Sequence, residues 1–216
     1  TDPDEAKAAG FTDAKAPQAM NVEFRNAGFA YPASQENVLE GISFTAKAGQ
    51  TTAIIGGTGS GKSTLINLIP RFYDVTEGQI LLGGIDVREM TQKELHSHIG
   101  LVPQKGTLFS GTIESNLKYG DENATEEDMT RACEIAQAME FINEKPERFQ
   151  EEVAQGGANV SGGQKQRLCI ARAIIGRPDV LIFDDSFSAL DFNTDKALRK
   201  SLKENTKNCA FIIVAQ

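Results

Sequence analysis

No tryptophan occurs in this chain, and there are only two histidines and three cysteines. The cysteines, Cys133, Cys169 and Cys209, are odd in number and far apart, with no Cys-x-x-Cys and no Cys/His cluster. That pattern argues against a disulfide framework or a zinc module and favours reduced thiols in a cytosolic setting. His96 and His98 stand near each other but alone, and we read them as a solvated helix-and-turn feature rather than a metal site. No apolar run approaches the roughly 18 residues of a membrane span. The longest, Cys209 to Ala215, has the length of a strand. The opening residues lack the pattern of a signal peptide. Basic residues are the minority, 22 against 30 acidic ones, and the net charge of −8 argues against a broad nucleic-acid-binding surface. The chain opens on Thr1 and stops at Gln216 directly after an apolar strand, so we expect a piece of a longer polypeptide.

What is present is centred on Gly56-Gly57-Thr58-Gly59-Ser60-Gly61-Lys62-Ser63-Thr64, which fits G-x-x-x-x-G-K-[ST] with an additional glycine at Gly59. Thr51 to Ile55 before it is β-branched and apolar and predicts a buried strand. Leu65 to Ile69 after it has no breaker until Pro70 and predicts a helix. Strand, glycine loop and helix form the context this motif requires. Glycines let successive backbone N–H groups curl around an anion without Cβ clashes. The N-terminus of the following helix adds unpaired N–H groups. Lys62 would reach the β- and γ-phosphates of a nucleotide, and the Ser63 hydroxyl would ligate Mg²⁺.

Residues 1–19 show little periodicity and predict a linker or arm. Regular structure begins near Met20 to Phe24, where apolar and polar residues alternate. Tyr31 precedes a proline, is biased towards extended backbone, and could stack on a flat ring. Val38 to Ala46 predicts a strand, Gly78 to Val87 a strand, a turn and a short strand, and Ile99 to Pro103 a short buried strand. Thr91, with Glu94 three residues on, predicts a helix cap, and Thr125 to Asp128 predicts the acid-bearing first turn of a helix. A mostly helical region over about 105–175 predicts a subdomain inserted between halves of a sheet-bearing core. It holds helical spacing over Met129–Met139, a shorter helical unit over Phe141–Phe149, and a helix over Lys165–Ile175. Val180 to Phe183 is an apolar strand that delivers Asp184 and Asp185. Thr194 to Asn205 predicts a helix and Cys209 to Val214 a last strand. Alternating strands and helices around a glycine loop predict an α/β fold with a mainly parallel sheet, whose ligand groups gather at the carboxyl ends of the strands.

Taken together, Gly56–Thr64, Gln104, Ser161-Gly162-Gly163-Gln164-Lys165-Gln166-Arg167, Val180–Asp185 and Ser188-Ala189-Leu190-Asp191 resemble the ordered motifs of ABC transporter nucleotide-binding domains. The resemblance spans residues 21–216, and Ser161–Gln164 is its most specific part. Leu108 to Ile113 and Glu152-Val153 resemble the exporter branch, in which membrane helices precede the nucleotide domain. The resemblance implies a P-loop NTPase core with an antiparallel β subdomain and an inserted α-helical signature subdomain, the ATP-binding domain occupying 20–216 and cut short at its C-terminal end. It implies that Tyr31 stacks on adenine and that Lys62 and the amides of Gly57, Thr58, Gly59, Ser60, Gly61, Lys62, Ser63 and Thr64 bind phosphates. Ser63 and Gln104 would ligate Mg²⁺, Gln104 would also sense the membrane domain, and Asp184 would hold the metal's water shell. Ser161 and Gly163 would contact the γ-phosphate of ATP held by a second nucleotide-binding domain, and Asp191 would lie in a loop that faces that partner. The place of action implied is the cytoplasmic face of a membrane, without nucleic acid.

Two positions depart from the pattern. Where the family has a glutamate that polarises the attacking water, this chain has Asp185, one methylene and about 1.5 Å shorter. A displacement of about 1 Å can cost about 10²-fold in rate. Where the family has a switch histidine, this chain has Gln216, which can hydrogen-bond a phosphate but cannot carry a proton or positive charge. Both departures beside an intact Ser161–Gln164 resemble the weak half of a heterodimeric exporter, which lends its signature to the partner's working site. Three other readings stay open on the sequence. One is an ABC-type ATPase of DNA repair or chromosome maintenance, another the stand-alone ATPase subunit of an importer. The third is a catalytically dead module that dimerises on ATP.

Overall fold

The computed structural model describes residues 19–32, 36–187 and 189–215. In chain order the strands and helices are β1 (Val22–Phe29), β2 (Leu39–Ala46), β3 (Thr51–Ile55), α1 (Lys62–Asn67), β4 (Glu77–Leu82), β5 (Ile85–Asp86), α2 (Gln92–Ser97), β6 (Ile99–Val102), β7 (Gly111–Thr112), α3 (Ile113–Lys118), α4 (Glu126–Ile135), α5 (Met139–Asn143), β8 (Glu152–Val153), α6 (Gly162–Ile174), β9 (Val180–Asp184), α7 (Phe192–Asn205) and β10 (Ala210–Ala215). The chain divides into two compact units. One holds the residues up to Ile99 with Asp179–Asp184 and those from Asn208, and the other holds Gly100–Pro178 and Asp185–Lys207. The combination of a parallel and an antiparallel sheet is the α/β architecture expected.

In the first unit β2, β1, β4 and β5 form an antiparallel sheet in that order. The alternation of β1 buries Val22 and Phe24, then breaks at Arg25-Asn26, and burial resumes from Ala27. The break is a bulge: the register with β2 shifts between Phe24 and Ala27, and Asn26 takes φ 47. One extra residue there returns Ala27 and Phe29 to the core face, as bulges do. Gly78 accepts this bend, with φ +67 and no room for a side chain, since a Cβ would stand 2.2 Å from the Asn26 carbonyl oxygen.

The parallel part of the first unit places β10 between β3 and β9. Val180, Leu181, Ile182 and Phe183 are all fully buried, which is why the run is apolar throughout rather than alternating. The burial expected for β3 is not what the structure has. Its burial alternates, and Ile55 is 76% exposed, because β3 is the outermost strand of this set. Thr91 caps α2 as expected, its hydroxyl accepting from Glu94 N–H at 3.2 Å. His96 is exposed on the last turn of α2 and His98 follows as its C-cap, the helix-and-turn feature expected, and both rings have hydrogen-bond partners. His96 Nε2 lies 2.8 Å from the Pro70 carbonyl oxygen, and His98 Nδ1 lies 2.7 Å from Asp179 Oδ2. The His98 carbonyl also accepts from the Asp179 and Val180 N–H groups. No cluster of three or more candidate metal ligands of the His, Cys, Asp and Glu types occurs among the described residues.

In the second unit three helices begin with capping boxes: Thr112 with Ser115 on α3, Thr125 with Asp128 on α4, and Ser161 with Gln164 on α6. Each satisfies two backbone donors that the first turn leaves without partners. The Thr125 hydroxyl bond also holds the Asp128 carboxyl below its usual range. α6 opens at Gly162 rather than at Lys165, so the signature residues belong to the helix itself. The single helical unit expected over Phe141–Phe149 is split instead, α5 ending at Asn143 and a 3-10 turn covering Arg148–Gln150. Pro146 explains the gap, since it lacks the N–H a continuous helix would use. Cys133, Cys169 and Cys209 are buried free thiols, and burial pushes Cys133 and Cys209 up to about 12. They stay uncharged near neutral pH and serve as small apolar packing groups.

Gly78→Ala is expected to lower the unfolding free energy by at least about 2 kcal/mol, combining left-handed strain with overpacking. Gly57→Ala, where a Cβ meets nothing within 4 Å, is expected to change it by less than about 0.5 kcal/mol. Urea denaturation of the two variants measures the difference.

Candidate functional site

The glycine loop leaves the carboxyl end of β3 and runs into α1. Its glycines meet different local conditions. Gly59 and Gly61 hold φ +80 and +85, conformations that side chains other than glycine resist. At Gly56 a Cβ would stand 2.8 Å from Ser60 Oγ, so the Ser60 hydroxyl would have to turn away. At Gly57 neither crowding nor a left-handed φ applies, and the space in front of its Cα is open. Lys62 Nζ donates to the carbonyl oxygens of Gly56 and Gly57, the latter at 2.8 Å, which lays the ammonium along the loop.

Sheet register brings Asp184 to this loop. Val214 on β10 pairs with Asp184 on one side and with Ile54 on the other, so the carboxylate is level with the strand end that launches the glycines. β9 is two strand spacings from β3, about 10 Å. The loop and α1 span that gap, and Ser63 Oγ donates to Asp184 Oδ2 at 3.2 Å. Tyr31 lies on the same unit, its hydroxyl 3.0 Å from Thr64 Oγ1 and its ring edge-on to Phe29 and Tyr73. It is 37% exposed, so part of its ring is open to a ligand.

The remaining expected residues among those described lie in the second unit. Gln104 Nε2 donates to Asp185 Oδ2 at 3.3 Å. Asp185 takes φ 45, a left-handed conformation in which Asp and Asn are the commonest residues after glycine. Ser161 is the N-cap of α6, and its hydroxyl accepts from the Gln164 N–H at 3.2 Å. The start of α6 lies beside the segment before α7: a Cβ at Gly163 would stand 3.6 Å from the Ala189 carbonyl oxygen. Asp191 caps α7 by accepting from the Asn193 and Thr194 N–H groups. Its hydrogen bonds, first that with the Thr194 side chain, hold its carboxyl below the usual range. Thus Ser63 meets Asp184 and Gln104 meets Asp185, each pair within its own unit. Gln216 and Ser188 lie outside the described residues.

A family model described as "ABC transporter" matches residues 39–188. The chain belongs to the ABC transporter family. It is 51% identical over 198 residues to an uncharacterized ABC transporter ATP-binding protein of Mycobacterium bovis, covering 90% of this chain and 34% of that protein. It is 43% identical over 195 residues to the ATP-dependent lipid A-core flippase of Pseudomonas aeruginosa, covering 90% of this chain and 32% of that one. Among solved structures it resembles a bacterial Atm1-family ABC exporter with ATP bound, at TM-score 0.88 and 35% identity over 96% of this chain and 36% of that chain. The chain therefore spans about a third of the length of these relatives. No helix among the described residues is long and apolar enough to cross a membrane.

Sequence reasoning missed Ser186. It is buried, and its hydroxyl donates to the Val102 carbonyl oxygen at 2.7 Å, tying the strand before Gln104 to the turn after Asp185. A serine between two carboxylates and a phenylalanine carries no pattern that would reveal this.

Lys62→Ala is expected to weaken MgATP binding by about 1.5–3 kcal/mol, the worth of a charge-assisted hydrogen bond; calorimetry giving equal affinities removes the role from Lys62. For Tyr31, stacking requires that Tyr31→Ala weaken ATP binding and Tyr31→Phe leave it nearly unchanged, because the ring face makes the contact. Equal losses would assign the effect to the hydroxyl bond with Thr64.

Proposed function

We propose that this chain is the ATP-binding and ATP-hydrolysing domain of an ABC exporter, acting on the cytoplasmic face of a membrane. It works with a transmembrane domain and a second nucleotide-binding domain, and ATP-driven closure of the pair powers export. The observation that carries this reading is the Ser63–Asp184 contact at the mouth of a glycine loop whose Gly57 has open space before it. The named relatives support it: one is an ATP-dependent flippase and another an exporter with ATP bound. They favour an exporter over the importer-subunit and DNA-maintenance readings.

The loop amides from Gly57 to Thr64 bind the phosphates, and Lys62 turns from its own carbonyls towards the β- and γ-phosphate oxygens. Ser63 and Asp184 present two hard oxygens 3.2 Å apart, and no group of three or more His, Cys, Asp or Glu side chains among the described residues could hold a metal ion. That sparse oxygen set suits Mg²⁺, which keeps several waters and takes substrate phosphates as ligands. Bound there, Mg²⁺ would neutralise developing charge on the phosphate oxygens. Gln104 is assigned to the metal and to the membrane domain on the family resemblance alone. Ser161 and Gly163 serve the γ-phosphate of ATP held by the partner, with the N-terminus of the 13-residue helix α6 aimed at it.

We infer further that this chain is the weak half of a heterodimer. Asp185 supports this reading: its carboxylate is short for a group that polarises water, it contacts Gln104, and it stands on left-handed backbone where Asp is easily borne. Gln216, which lies outside the described residues, is the second departure from the family pattern and supports the same reading. The partner then carries the working site, and this chain lends it Ser161–Gln164.

In the assembled transporter, Asp185→Asn should leave steady-state ATP turnover nearly unchanged. Ser161→Ala should lower kcat by at least about tenfold, since it strips a preorganised donor from the partner's site. Ser161→Thr, which keeps the helix cap, separates lost capping from lost catalysis. Turnover abolished by Asp185→Asn and spared by Ser161→Ala would place the working site on this chain instead.

A further inference from the structure

Helix α6 carries a second polar feature, away from its signature end. Gln166, Cys169 and Arg172 follow at intervals of three and share one face of the helix. All three lie against the loop that follows Gln104. A Cβ on Gly106 would stand 2.8 Å from the Cys169 sulfur and 3.0 Å from Gln166 Oε1, so the loop backbone rests directly on this stripe. The Cys169 thiol donates to the Thr107 carbonyl oxygen at 3.7 Å, and Arg172 Nη2 donates to the same oxygen at 2.9 Å.

The stripe is not fully satisfied. Four buried side-chain nitrogens or oxygens among the described residues have no hydrogen-bond partner, and two of them, Gln166 Nε2 and Arg172 Nη1, are here. Gln166 is only 3% exposed. A buried amide donor without an acceptor is costly, and natural proteins keep few of them unless the group has another use. The backbone that lies against these side chains is the loop itself. The Thr107 carbonyl already accepts from Cys169 and Arg172, and each carbonyl has two lone pairs, so the further acceptors at hand are those of the residues before it. Gln166 and Arg172, each with an unpartnered nitrogen, thus border the segment that follows Gln104.

We propose that Gln166 is a positioning residue: the loop 104–107 has a second seat on α6, taken when MgATP binds, in which Gln166 Nε2 donates to a loop carbonyl. Arg172 Nη1 gains an acceptor in the same shift. Gln166 thereby sets where Gln104 stands and ties that position to the helix that presents Ser161. This inference rests on the nucleotide-binding reading above.

The test is hydrogen–deuterium exchange on the full-length protein assembled with its partner, with and without MgATP, comparing wild type with Gln166→Met. Methionine keeps the length and apolar bulk and removes the donor. In the wild type MgATP should slow exchange both at the glycine loop, Gly57–Thr64, and at Lys105–Thr107. The slowing at Lys105–Thr107 should be up to about tenfold, the worth of one hydrogen bond. In Gln166→Met the glycine loop should keep its protection and Lys105–Thr107 should lose it. Protection at both places in both proteins, or at neither protein's Lys105–Thr107, overturns the second seat while leaving nucleotide binding intact. No protection at the wild-type glycine loop overturns the nucleotide reading, and this proposal with it. Gly106→Ala approaches from the loop side, because its new methyl would wedge against Cys169 and Gln166 and bar the shift. It leaves the sequence of α6 unchanged and should lose the same protection, so a poorly folding Gln166→Met does not end the test.

Discussion

The parallel pairing of β10 with both β3 and β9 is the constraint on which the nucleotide-facing part of the first unit depends. A parallel ladder fixes which residues are level across strands, and a slip of one residue would turn every side chain to the other face. Here Val214 aligns Ile54 with Asp184. Because of that alignment, a loop leaving β3 can put Ser63 against a carboxylate that arrives on β9. The apolar character of β9 follows from the same arrangement, since a strand covered on both faces leaves no place for polar side chains before its end.

The second unit follows a different logic, in which helix ends rather than strand ends do the positioning. Ser161 has two tasks that use one geometry. As N-cap it turns its hydroxyl towards the first-turn amides, and the same first turn is the part of α6 proposed to face a partner's phosphate. Asp191 repeats the device on α7. Capping stiffens both segments without any ligand, so the side chains proposed to meet the partner are already held in place.

Much of this was legible in the sequence wherever a residue type answers a local backbone need. The glycines of the loop, the cap at Thr91, the acidic first turn at Thr125–Asp128, and the apolar run ending in Asp184 announce themselves because local geometry restricts which residues fit. What was not legible depends on neighbours far along the chain. Thr51 to Ile55 is as apolar as a central strand, yet its burial is set by how many strands flank it. His96 and His98 gave no hint of Pro70 or Asp179, since hydrogen bonds across 26 and 81 residues leave no periodic trace. The split at Pro146 was visible as a residue and misjudged in its effect. The unpartnered nitrogen of Gln166 is invisible in principle, because a sequence shows which groups exist but not which are left without a partner.

The place of β10 in the chain bears on how the protein is made. β10 is the last strand described and lies between two earlier ones, so β3 leaves the ribosome long before the strand it pairs with. At about 5–20 residues per second, the interval from Ile55 to Ala210 is on the order of ten seconds. Through that interval the apolar β3 and β9 are synthesised without their shared neighbour, and the glycine loop has no aligned carboxylate. Closure of the parallel sheet therefore waits for β10. Until then the antiparallel sheet, whose four strands are complete by Asp86, is the sheet of this unit whose strands are all available to pair.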